Sequence, residues 1–384
     1  MRKKPSMTLL KSFSCRLASF PSILFFSAAL LFMLGCATSR TVQPIQNADI
    51  RDMTIAVLPV QNLSGADAPL ERIRRLMVRG LKRQGFRVLA EPVLEEVMAK
   101  HRMRYTGGIT QEMSQAFDKA GARAVLLISL ELYDGHNPPK VALFSRLVEA
   151  GKLRPKILWM DDASLSGDDS PGLLGIGLIS NPYVLVGKAA GKLSESLLNA
   201  LSGIKTTEPG VTMAGRFKPL YPFVSPVLNP NRRYKVVVVP FYNVSDRQNA
   251  GQIMQLHIVE QLLRYPTNFD VLEPGLIRHE FLNLRIIQWD GISFLNANLL
   301  FDQLNVDLIV TGKTLVYRDT DGDPRVSANF IAIKRKSDRI VWSSSGYANG
   351  KDGVYFFDTG RISTAHTIAS EMARWVASDM VDRH

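Results

Sequence analysis

Few residues of this chain have the types and spacing that chemistry requires. Six histidines are spread along it, at His101, His136, His257, His279, His366 and His384. No two stand four apart as in a metalloprotease helix, and none joins cysteines in a zinc pattern. The stretch MDDASLSGDDS from Met160 carries four aspartates, but no partner base or ligand spacing accompanies them, and it reads as a solvated turn. DTDGDP at Asp319 opens like a calcium loop, yet Gly322 and Pro324 fall at the wrong positions and no glutamate follows. It reads as a tight turn. GLLGIG at Gly172 has the wrong order for a dinucleotide fingerprint, and the chain has no phosphate-loop Gly-Lys-Ser/Thr. No catalytic residue, metal ligand or cofactor is expected, and the chain is not read as an enzyme.

Two features rise above this background. The first is Cys36. The 35 residues before it hold no acid and five cations, Arg2, Lys3, Lys4, Lys11 and Arg16, followed by the apolar run SILFFSAALLFMLG. A basic head, an apolar stretch and a small residue at the end are the parts of a secretory signal. Pro21 and the serines argue against a membrane-spanning helix. The junction FMLGCATS resembles the bacterial lipobox, with Met33 and Leu34 as departures from its usual residues. That resemblance implies cleavage after Gly35 and acylation of Cys36, for example with palmitate. Two or more acyl chains give stable membrane residence where one does not. Ala37, in place of an aspartate, implies by the same resemblance sorting to the outer membrane, with the body on its periplasmic face.

The second feature is a basic stripe, Arg72, Arg75, Arg79 and Lys82, at three- and four-residue steps along a helical stretch. It is a candidate contact for anionic headgroups or an acidic partner, against the plainer reading of a solvated helix face. Removing the leader lowers the formal charge from +12 to +7, which favours anionic lipid or acidic proteins over nucleic acid. Cys15 and Cys36 are the only cysteines, so no disulfide can hold the mature chain.

The elements that position these residues occur twice. TIAVLPVQNLSG at Thr54 answers KVVVVPFYNVSD at Lys235, with Pro59, Asn62 and Ser64 matched by Pro240, Asn243 and Ser245 at a spacing of 181. GFRVLAEP answers NFDVLEP, and ARAVLLISLELYDG answers VDLIVTGKTLVYRD. The pairs KILW and RIVW end at Trp159 and Trp342. Preserved order at nearly constant spacing points to an internal repeat. Each copy reads β-α-β-α-β-β-β-α, a mixed sheet packed with helices. Expected helix faces are Leu70, Ile73, Met77 and Leu81 in the first copy and Ile253, Leu256, Val259 and Leu263 in the second. Asn62 and Ser64 are expected to cap the turn into the first of these helices, and Thr110 and Ser293 to cap a further helix in each copy.

The expected organisation is a signal peptide at 1–35, a tether at 36–50, a first copy at 51–203, a proline-rich linker at 204–232 and a second copy at 233–384. The pattern IAVLPxxN, then a helix, a strand ending in Val-Leu and a VxGxV-like strand resembles the TolB amino-terminal-like fold. VSANFIAIKRKSDRIVWSSS is similar to the strand pair of CsgG-like envelope lipoproteins. The resemblance implies an α/β, or α+β, fold of two tandem three-layer domains. It also implies envelope proteins as partners, and a non-catalytic scaffold or accessory role in envelope assembly or secretion. The alternative it leaves open is an oligomeric secretion-channel subunit, which needs apolar membrane hairpins that the sequence does not offer as a matched pair.

Overall fold

In the computed structural model, residues 53–169, 177–204, 217, 220–286, 292–319, 323–335, 339–354 and 361–381 are described. The leader, Cys36, the tether, Gly172 and His384 lie outside them.

The first unit begins with β1 (Thr54–Val57). Pro59 interrupts pairing because it has no N–H to donate, and β2 (Gln61–Asn62) resumes it on the same partner strand. Then follow α1 (Leu70–Arg83), β3 (Arg87–Val88), α2 (Glu91–Lys100) and α3 (Gln111–Lys119). Three long antiparallel strands come next, β4 (Ala124–Asp134), β5 (Lys140–Glu149) and β6 (Ile157–Ser166), and α4 (Pro182–Leu201) closes the unit. The sheet order is β3-β1-β4-β5-β6, parallel through β1 and antiparallel beyond β4.

The second unit repeats the sequence of elements: β8 (Tyr234–Val238), β9 (Tyr242–Asn243), α5 (Ala250–Leu262), β10 (Phe269–Val271), α6 (Pro274–Asn283), α7 (Phe294–Leu304), β11 (Leu308–Arg318), β12 (Arg325–Lys334), β13 (Arg339–Asn349) and α8 (Ala365–Val381). Its sheet order is β10-β8-β11-β12-β13, with one further strand at the β13 edge. The extra strand β7 (Leu220–Val224) lies within the span expected as linker and pairs antiparallel with β13. Pro222 is tolerated there because an edge strand leaves one row of backbone groups unpaired. The fold is mixed α/β, with two mixed sheets that fit two tandem units.

Several local expectations change. α2 and α6 were not anticipated. α2 buries one apolar residue, Leu94, too little for a readable period. Asn62 and Asn243 organise their turns rather than cap a helix. Asn62 Oδ1 accepts from Ser64 N at 3.0 Å, and its Nδ2 donates to Ala66 O at 2.8 Å. The Asn243 bonds to Ser245 and Arg247 repeat that pattern. Thr110 and Ser293 do cap α3 and α7, accepting from Met113 N and Asn296 N.

Five layers result. α1 and α4 cover one face of the first sheet, with Ile73, Met77, Val186 and Leu193 in that core. α2 and α3 cover part of the opposite face through Leu94 and Phe117. The rest of that face, including Phe144 and Met160, shares a core with α5 and α8 of the second unit. Those helices rest in turn on the second sheet, whose far face carries α6 and α7. α5 is therefore buried on every side rather than along one stripe. Among the described residues no helix is long and apolar enough to cross a membrane.

Candidate functional site

The junction between the units concentrates the buried polar groups. β4 is an apolar strand with two acids, Asp134 at its partly exposed end and Glu131 within it, fully buried. The register of β4 on β5 shifts between Leu130 and Leu132. A bulge of this kind re-aims a side chain, and here the Glu131 carboxylate meets residues of the second unit. Its Oε1 accepts from the Tyr317 hydroxyl, and its Oε2 contacts His366 Nδ1. His257 Nε2 stands 3.5 Å from the same Oε2. The other ring nitrogen of His366, Nε2, bonds Asp162 Oδ2 on β6 at 2.6 Å.

Each group is placed by an element that leaves it no alternative. His257 sits mid-α5, the helix without a water-facing side, and His366 lies in the first turn of α8. Phe144 on β5 packs against both imidazoles, with ring centroids 4.7 Å from His257 and 5.0 Å from His366. The two imidazoles are 4.7 Å apart, edge to face. Burial alone would raise the Glu131 carboxyl, but the His366 charge and the close approach of both imidazoles hold it well below the usual range. Burial would likewise neutralise His366; Glu131 and Asp162 on its two sides offset this and keep it protonated. His257 is pushed down, chiefly by burial, and stays neutral. The Tyr317 hydroxyl is pushed well up by burial and by the adjacent carboxylates.

Glu131, His257 and His366 each offer a ligand atom, and these lie within 4.8 Å of one another; Asp162, His257 and Glu260 form a second such set. Neither His257 nitrogen has a hydrogen-bond partner. His257 and His366, far apart in sequence, are thus brought together at the junction. The reading of MDDASLSGDDS as a solvated turn is corrected: Asp161 and Asp162 lie on β6, where Asp162 faces the second unit and Asp161 accepts from Ser196 of α4.

Other contacts fasten the same junction. Arg146 on β5 forks onto Glu273, the N-cap of α6, at 3.1 and 3.2 Å, with both side chains buried, and also donates to Gly107 O at 2.6 Å. Arg247 of the second unit donates to the Ser64 and Glu131 carbonyls of the first. Gly108 and Gly275 face each other across the boundary: a Cβ on Gly275 would stand 2.2 Å from Ile109 N. Side chains there would hold the backbones apart.

The basic stripe lies elsewhere. Arg72, Arg75, Arg79 and Lys82 are all exposed on α1, away from this junction. Arg72 stacks on the Tyr183 ring at 3.8 Å. Arg74, between them in sequence, is buried and paired with Glu91 at 2.6 Å.

No family model matches the chain, and no curated protein matches it in sequence. Among solved structures, it is similar to the PelC dodecamer from Paraburkholderia phytofirmans, at 16% identity and a TM-score of 0.30 over 42% of this chain and 96% of that one. It is also similar to the lipoprotein GNA1162 from Neisseria meningitidis, at 24% identity and a TM-score of 0.27 over 38% of this chain and 98% of that one. A third is the LpoB C-terminal domain from Salmonella enterica, at 15% identity and a TM-score of 0.26 over 30% and 82%. At TM-scores this low the likenesses assign no role to the chain.

Proposed function

We propose that the chain is a lipoprotein held at the outer membrane through Cys36, with its two units in the periplasm as a non-catalytic scaffold or accessory for envelope proteins. The observation that carries this reading is the leader: five cations, no acids, an apolar run and a terminal Gly35-Cys36. The body supports a scaffold role. Its buried polar side chains join one unit to the other, as in Arg146 with Glu273 and Glu131 with His366. Two of its long first-unit strands, β4 and β5, are covered by protein on both faces, which leaves these two no lipid-facing side. The basic stripe on α1 gives the body a cationic surface toward anionic headgroups or an acidic partner.

The test is fractionation and labelling of the full chain. Wild type is expected in the outer-membrane fraction with labelled palmitate incorporated, and Cys36→Ser is expected to be released and unlabelled. An unlabelled wild type, with Cys36→Ser in the same membrane fraction, overturns the anchor. Crosslinking in cells separates the roles: a defined set of envelope proteins supports the scaffold, and a homo-oligomer alone points to a channel subunit.

A further inference from the structure

We propose that Glu131, His257 and His366 form a binding site for a divalent transition metal of the zinc class, stapling the first unit to the second. Two imidazoles and one carboxylate are a zinc-type donor set, and no one element supplies them: Glu131 comes from β4, His257 from α5 and His366 from α8.

Three observations converge. First, the donors surround one point. Glu131 Oε2 faces both imidazoles, and the three ligand atoms lie within 4.8 Å of each other. Bonds of about 2.0–2.1 Å in a tetrahedron separate neighbouring donors by about 3.3 Å. The 3.5 Å between His257 Nε2 and Glu131 Oε2 already has that size; the closer His366 contact opens to admit the ion. Second, the outer groups are those that metal ligands use. His366 turns Nδ1 to the site and gives Nε2 to Asp162 at 2.6 Å, the carboxylate-histidine arrangement that fixes a ligating ring. Tyr317 holds the other oxygen of Glu131. Third, His257 is fully buried, yet both its nitrogens lack a hydrogen-bond partner. Leaving such a group unsatisfied costs about 1–3 kcal/mol, and a metal bond at one nitrogen removes part of that penalty.

Water completes the coordination. All three protein donors are sealed from solvent, so the ion joins the units rather than meeting a substrate. The site does not depend on the lipid anchor, and its failure would leave the membrane assignment standing.

The full chain in detergent, without a histidine tag and freed of metal by a chelator, is titrated with cobalt(II). The expected result is one equivalent bound, with the visible absorption of four-coordinate cobalt, displaced by one equivalent of zinc. His257→Gln is expected to abolish the band, and His136→Gln, a surface control, to leave it unchanged. Tyr317→Phe, which keeps the ring but loses the bond to Glu131, is expected to weaken binding about tenfold or more. Absence of the band in wild type, or its persistence in His257→Gln, overturns the proposal. Should His257→Gln not fold, an unchanged affinity in Tyr317→Phe overturns it instead.

Discussion

Arg146 and Glu273, 127 residues apart, are paired through two hydrogen bonds with 1% and 0% of their side chains exposed. One belongs to the first sheet and the other caps a helix of the second unit, so the pair exists only while the units are docked. Removing the cation alone leaves a buried carboxylate uncompensated. Arg146→Met is expected to destabilise the chain by about 3–5 kcal/mol. Adding Glu273→Gln should recover part of that, because the uncharged amide keeps its acceptor for Ile109 N and Gly275 N. Urea unfolding of both variants checks this, and a double variant less stable than the single one would contradict it.

Phe144 fills the space between β5 and the two buried imidazoles. Phe144→Ala is expected to cost about 3–5 kcal/mol through the cavity it leaves. Because α5 and α8 share a core with the first sheet, both halves should melt in one transition in wild type. A calorimetric trace with two well-separated transitions would count against the shared core.

The Arg74–Glu91 pair sets a pH dependence remote from the junction. The hydrogen bond from Arg74 holds the Glu91 carboxyl below its ordinary value, outweighing the upward push of burial. A lowered folded-state value gives stability that is present above the unfolded value, about 4.3, and is lost as pH falls through the folded one. Glu91 is about half exposed, so solvent screening keeps the contribution to about 1 kcal/mol or less. Wild type should exceed Glu91→Gln by that margin at neutral pH and match it in acid strong enough to protonate Glu91 in the folded state. A gap of equal size at both pH values would disprove the linkage.

Arg72, Arg75 and Arg79 make a prediction at the surface. Their joint replacement by Glu should leave the unfolding midpoint nearly unchanged, since none is buried, while weakening sedimentation with anionic vesicles at low salt. Unchanged vesicle and partner binding would reduce the stripe to a solvated helix face.

Much of the fold was legible because periodicity reports one-sided burial. Ile73, Met77 and Leu81 stand at helical spacing and are the buried side of α1. Thr110 and Ser293 marked helix starts by their capping chemistry. α5 was legible as a helix but not as a middle layer, because its apolar stripe was read without the second sheet beneath it. The junction cluster was not legible at all: His366 reaches Glu131 across 235 residues and Asp162 across 204, and no local spacing encodes such an approach. One signal was available. Glu131 interrupts AVLLISLELY, a run too apolar for a strand with a wet face, and an acid in its middle needs a buried partner.

The middle layer also orders events in time. A polypeptide is made from its amino terminus, so the first sheet is complete while α5 and α8 do not yet exist. Until they arrive, Phe144 and Met160 face water and Glu131 has no counter-charge. The nascent first half therefore presents a sticky, half-finished surface that only its own later residues are shaped to close. Truncation after residue 203 would freeze it in that state, and a holding chaperone would find its natural grip there.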